Sequence, residues 1–125
     1  MHIPKKIKLD TAQQQLQLSY ASGETYLLPA EFLRVHSPSA EVQGHGHPIL
    51  QHGKEFVRLT KVEAAGNYAL KLTFDDGHDS GLYTWTYLHQ LGKNQPQMWA
   101  DYLEQLAQAG KFRDPNQSTI KLMGL

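Results

Sequence analysis

Hydrophobic and polar positions alternate from the start of the chain. Ile7 and Leu9 are set off by Lys6, Lys8 and Asp10, and Leu16, Leu18 and Tyr20 by Gln15, Gln17 and Ser19. A period of two predicts two strands, each with one wet face. Thr25-Tyr26-Leu27-Leu28 supplies a third beyond the polar connection Ala21-Ser22-Gly23-Glu24, and the three make an antiparallel meander. Pro29 suits the first turn of a brief helix over Ala30 to His36, with Phe32, Leu33 and Val35 turned inward. Ser37-Pro38-Ser39 ends it, because the residue before a proline is pushed out of the α region.

Between Ser37 and Lys54 neither period is sustained, and two prolines, three glycines and three histidines predict a long loop. Alternation resumes at Phe56-Val57-Arg58-Leu59-Thr60 and slips phase near Lys61-Val62, which predicts a bulge. After a turn at Ala65-Gly66-Asn67, Tyr68, Leu70, Leu72 and Phe74 share one face of a strand. Asp75-Asp76-Gly77-His78 has the chemistry of a tight turn before Gly81-Leu82-Tyr83-Thr84. Two helices are expected to follow. Thr84 caps a short one, with Trp85, Leu88 and Leu91 on its stripe and Gly92 as its stop. Asn94 or Gln95 before Pro96 begins the second, which carries Trp99, Tyr102, Leu103 and Leu106 on one face as far as Gly110. The polar, turn-prone residues from Asp114 predict a flexible tail over 114–125. The expected fold is a single α+β domain over 1–113, a small antiparallel sheet of five or six strands with two or three helices on one side.

Composition narrows the function. In 125 residues, 12 Lys and Arg balance 12 Asp and Glu, so no whole-chain positive field exists to hold nucleic acid or an anionic membrane. With no cysteine, disulfides, thiolate nucleophiles and Cys-ligated metal centres are excluded. The start of the chain, Met1-His2-Ile3-Pro4-Lys5-Lys6, lacks the apolar core of a signal peptide, and the expected location is the cytoplasm.

Seven histidines are the main candidates for chemistry. In Gly44-His45-Gly46-His47, two imidazoles at i and i+2 point to the same side of an extended segment and can share zinc or iron, with His36 or Glu41 as a third ligand. The bland alternative is a solvated loop. Asp75-Asp76-Gly77-His78-Asp79 lacks the further oxygen ligands of a calcium loop, so the turn reading is preferred, with Asp75, Asp76, Gly77 and His78 as a motif for structure or interaction. No phosphate-binding glycine loop, nucleophile elbow or HExxH is present, and no catalytic residue is assigned. Trp85, Tyr87, Trp99 and Tyr102 sit at helical spacing and read as core.

Leu28-Pro29-Ala30-Glu31-Phe32-Leu33-Arg34 with Ser37-Pro38-Ser39-Ala40, and Phe74-Asp75-Asp76-Gly77-His78 with Tyr83-Thr84-Trp85-Thr86-Tyr87-Leu88, resemble the small N-terminal domain of gamma-butyrobetaine hydroxylase, over about residues 5–110. The resemblance implies a domain also found alone in bacteria, with unknown function, and fused to Mrp-type ATPases linked to iron–sulfur cluster assembly. It also implies a structural zinc site whose cysteine positions fall on Ser37, Ser39 and Val42 and whose histidine falls on His78. Three of the four ligands are replaced, so that site is expected to hold no zinc unless His36, His45 or His47 substitutes. The oxygenase activity belongs to a separate, larger domain and does not carry over. Two functions remain: a non-catalytic accessory module with a protein partner, which the resemblance places near iron–sulfur assembly or metal handling, or a metal-binding protein using the 36–52 loop and His78. No bound cofactor is expected on the first reading, and zinc or iron on the second.

Overall fold

The computed structural model describes residues 2–117. β1 (Lys6–Asp10), β2 (Gln15–Ser19) and β3 (Thr25–Pro29) form one antiparallel sheet in that order, with Leu18 opposite Ile7 and Tyr26. β4 (Leu59–Ala65), β5 (Ala69–Phe74) and β6 (Leu82–Thr84) form a second, with an irregularity between Leu59 and Lys61 where the phase slip lies. The six expected strands are therefore split between two sheets rather than joined in one. Leu16, Leu18 and Leu28 from the first sheet and Leu59, Leu70, Leu72, Phe74 and Tyr83 from the second bury into one shared core. Tyr68, expected on the same face, precedes β5 and is exposed, because the chain is still turning there.

Gln14 stitches the two sheets together. In the tight β1–β2 turn its backbone is left-handed (φ 54°), which aims its side-chain carbonyl to accept the Leu59 N–H at 2.7 Å. The Arg58 guanidinium donates to the Thr11 carbonyl at 2.9 Å from the other side. In the sequence, Gln14 is one of three consecutive glutamines, Gln13-Gln14-Gln15, with no local sign of this role.

α1 (Ala30–Val35) leaves β3 directly, with Pro29 as its N-cap, and buries Phe32, Leu33 and Val35 as expected. Its charged residues Glu31 and Arg34 are buried as well. The expected long loop contains α2 (Ala40–Gln43) and a 3₁₀ turn at Gly44–Gly46.

The two expected C-terminal helices are one, α3 (Trp85–Ala109), with Pro96 inside it. Thr84 caps it by accepting the Tyr87 N–H at 3.2 Å, and Gly110 (φ 65°) ends it. Gly92 is no stop: a Cβ there would lie 2.4 Å from the Tyr26 ring, so glycine is what lets α3 lie against β3. The N-terminal half of α3 gives Trp85, Leu88 and Leu91 to the main core, while Tyr102 and Leu106 join Val35 in a smaller cluster. Burial at both ends holds the helix through the proline, whose cost is about 3 kcal/mol. Leu103, expected on the apolar face, is 40% exposed, and Trp99 is half-buried against Phe32. Gly92→Ala should destabilise the domain by about 1–3 kcal/mol through overpacking, against the helix propensity that favours alanine. A lowered thermal midpoint checks this, and a raised one would mean that Tyr26 yields at no cost.

Beyond α3 the chain returns over the 50s segment. The Gly53 and Glu55 N–H groups donate to the Phe112 and Arg113 carbonyls at 2.8 and 3.0 Å, and Arg113 makes a two-pronged ion pair with Glu31 at 2.7 and 2.9 Å. Pro115, within the expected tail, lies over Gly53. Residues 118–125 of that tail, and Met1, lie outside the described residues.

Candidate functional site

Two connections converge on one buried spot. Ser37-Pro38-Ser39 links α1 to α2, and Asp75-Asp76-Gly77-His78 reverses the chain after β5, with the Phe74 and Gly77 N–H groups donating to the His78 and Phe74 carbonyls. The Asp76 carboxylate also accepts the His78 N–H, so the tight turn expected from the sequence is the one that forms. It aims the imidazole at the serines: His78 Nε2 lies 2.8 Å from Ser37 Oγ and 3.4 Å from Ser39 Oγ. On its other side, Nδ1 lies 3.6 Å from a Glu41 carboxylate oxygen. Ser37 is fully buried, and Ser39, Val42 and His78 nearly so. Gly81 is what lets Ser37 sit here, since a Cβ at 81 would fall 2.5 Å from Ser37 Oγ.

Charge surrounds this cluster. Asp76 accepts from Arg34 Nε at 2.8 Å and Lys54 Nζ at 3.1 Å, and Arg34 donates also to Gln51 at 3.2 Å. Burial pushes the Asp76 carboxyl up, but its bonds from Lys54, the His78 N–H and Arg34 prevail and hold it below the usual carboxylate value. Burial, then the Arg34 charge, pushes His78 below the usual imidazole value, with Glu41 and Asp76 opposing. Burial lowers His36 too, although its bond to the Phe32 carbonyl works the other way.

Two depressed imidazoles fix a pH dependence. Below about pH 6.5 the unfolded chain takes up protons that the folded chain refuses. The contribution of neutral His36 and His78 is complete above that pH and is lost as the pH falls through it toward their lower folded values. The thermal midpoint should drop between about pH 7 and pH 5, and drop less in His78→Asn. Equal slopes in both proteins would remove His78 from the effect.

A family model described as gamma-butyrobetaine hydroxylase-like, N-terminal, matches residues 7–89, about two thirds of the chain. The chain belongs to this family. A protein whose NMR solution structure is known is 63% identical to it over 98% of both chains, with a TM-score of 0.85. A second NMR structure is 43% identical, covers 95% of this chain and 90% of its own, and has a TM-score of 0.79. A crystal structure of a protein of unknown function in the DUF971 family, from Acidithiobacillus ferrooxidans, is 36% identical over 71% of this chain and 91% of its own, with a TM-score of 0.61. Comparison with proteins of curated function gives no match. Membership carries the fold and no established activity.

The zinc site implied by the resemblance does not fit the residues this family member carries. Neutral serine hydroxyls are poor zinc ligands and Val42 is none. The direct 2.8 Å contact between Ser37 Oγ and His78 Nε2 also occupies the position where an ion would have to stand between them. Nor are the substitutes assembled: among the described residues, no three of His36, His45, His47 and His78 bring ligand atoms within 4.8 Å of one another. His45 and His47 are exposed on the 3₁₀ turn, and His36 is engaged by its own helix. The group that does come together, His2, Glu24 and His89, was not found by sequence reading.

Proposed function

We propose that this chain is a non-catalytic binding module whose partner is a protein and which works in the cytoplasm. The observation that carries this reading is an open groove of about 510 Å³ beside the sealed serine–histidine cluster. Val35, Val42, Ile49 and Leu50 line it together with Tyr87, Met98 and Tyr102 of α3, with His36, Gln43 and Gln51 among them. Ile49 stands 56% exposed at its edge, and Asp101 and Gln105 give it a polar rim. An apolar wall with a polar rim suits one or two apolar side chains of a protein segment. By contrast, the Ser37 hydroxyl beside His78 is fully buried. Among the described residues no helix is long and apolar enough to cross a membrane.

The resemblance to domains fused to iron–sulfur-linked ATPases makes the iron–sulfur assembly machinery the first partner class to test. Capture from native extract should be run with the parent chain and with Ile49→Asp/Met98→Asp, both confirmed folded by thermal melting. A partner retained by the parent and lost by the groove variant supports the reading. A partner held equally by both moves the interface elsewhere, and turnover of a substrate by the purified chain would overturn the non-catalytic assignment.

A further inference from the structure

Outside the serine–histidine cluster, three residues that no motif connects meet at one point. His2 precedes β1, Glu24 lies in the β2–β3 turn, and His89 is in the first turns of α3. One ligand atom from each lies within 4.8 Å of the other two. His89 is 92% buried by its 8% exposure, and its Nε2 lies 3.4 Å from a Glu24 carboxylate oxygen. That approach is not a hydrogen bond: His89 Nε2 has no hydrogen-bond partner among the described residues, and the Tyr20 hydroxyl beside it has none either. Tyr20 and His89 face each other edge-on at 5.3 Å, so the two orphaned polar atoms belong to one small region. Buried polar atoms without protein partners are uncommon, and here two lie beside a carboxylate.

We propose that His2, Glu24 and His89 bind a divalent transition-metal ion, with zinc as the best match. Two imidazoles and one carboxylate are a set that zinc accepts, leaving a fourth position for water. Bonds of about 2.0–2.1 Å in a tetrahedron put neighbouring ligand atoms about 3.3–3.4 Å apart, which the His89–Glu24 separation already meets. The carboxylate is held in advance: Ser22 donates to its Oε1 at 2.9 Å and Tyr26 to its Oε2, the outer-shell support that ligating carboxylates commonly have. One adjustment is required, because the His2 ring is stacked on His89, centroids 3.8 Å apart and planes within 5°. Parallel rings send their lone pairs side by side, so the exposed His2 ring must tilt out of the stack to close the site.

The test is a zinc titration of the full chain without a polyhistidine tag, followed by calorimetry and by NMR of the imidazole nitrogens. One equivalent should bind, with the His2 and His89 resonances moving and those of His45 and His47 staying in place. Affinity should fall more than about tenfold in His2→Ala and in Glu24→Gln, and be unchanged in His45→Ala/His47→Ala. His89 is buried and its replacement risks the fold, so the exposed His2 carries the decision. Absence of binding at excess zinc, binding that survives both His2→Ala and Glu24→Gln, or binding lost in His45→Ala/His47→Ala would each overturn the proposal.

Discussion

Asp76→Ala should destabilise the domain by about 3–5 kcal/mol, the cost of leaving a buried charge without its partner. Arg34 has a side chain only 8% exposed, and Asp76 is its sole carboxylate partner among the described ion pairs. Gln51 remains at 3.2 Å but offers no charge. The same substitution removes the bond that holds the His78 N–H, so the turn that aims the imidazole at Ser37 loosens as well. Denaturant midpoints of the parent, Asp76→Asn and Asp76→Ala should fall in that order, because asparagine keeps an acceptor for the turn. Arg34→Met/Asp76→Ala should recover part of the loss. A cost below about 1 kcal/mol for Asp76→Ala would show that water reaches Arg34 and that the pair behaves as a surface pair.

Ser37→Cys/Ser39→Cys/Val42→Cys should turn the sealed cluster into a zinc site. Thiolates at the three positions complete, with His78, the ligand set implied by the resemblance to the hydroxylase domain. The backbone already brings Ser37 Oγ and Ser39 Oγ to 2.8 and 3.4 Å from the imidazole, and longer zinc–sulfur bonds would push these groups apart by a modest amount. The gain is expected to be large, since structural zinc centres bind with apparent free energies of about 10–16 kcal/mol. The variant should carry one zinc at this position, resist dilute chelator, and melt at a higher temperature with metal than without. Failure to retain zinc there would show that the route from α1 to α2 has been rebuilt around the hydrogen-bonded serines, and that more than ligand identity has changed.

The strands were legible because each has one wet face, and the alternation of Leu16, Leu18, Leu70 and Leu72 with polar residues survives directly as burial. How six strands divide was not legible. Which edges pair depends on long-range contacts such as Gln14 with Leu59, 45 residues apart, and a lone glutamine in a polar run carries no local sign of that role. In α3 local and global signals disagree. Gly92 and Pro96 are punctuation by propensity, yet Trp85, Leu88, Leu91, Met98, Tyr102 and Leu106 keep one helical face on both sides of them, with polar Gln95 between the two halves. That shared face is the signal that joins the two halves, because burial at both ends outweighs one weak joint. At the site, the resemblance brought Ser37, Ser39 and His78 into one set, and the geometry shows them in contact. It gave no hint of His2, Glu24 and His89, which only the antiparallel meander and the seating of α3 on β3 bring together.

The ion pair between Glu31 and Arg113 spans 82 residues, and it sets an order of events during synthesis. At about 5–20 residues per second, a ribosome places Arg113 about 4–16 s after Glu31. Through that interval the meander and α1 exist as nascent chain, while the Glu31 carboxylate has neither its guanidinium nor the half-buried Trp99 ring that Arg113 covers at 5.2 Å. The first sheet can form early, but the Gly53 and Glu55 N–H groups lack their carbonyl partners until Phe112 and Arg113 emerge. The strap over Gly53 and Glu55 is thus made after the elements it closes, and the domain completes its fold only once Arg113 has been added.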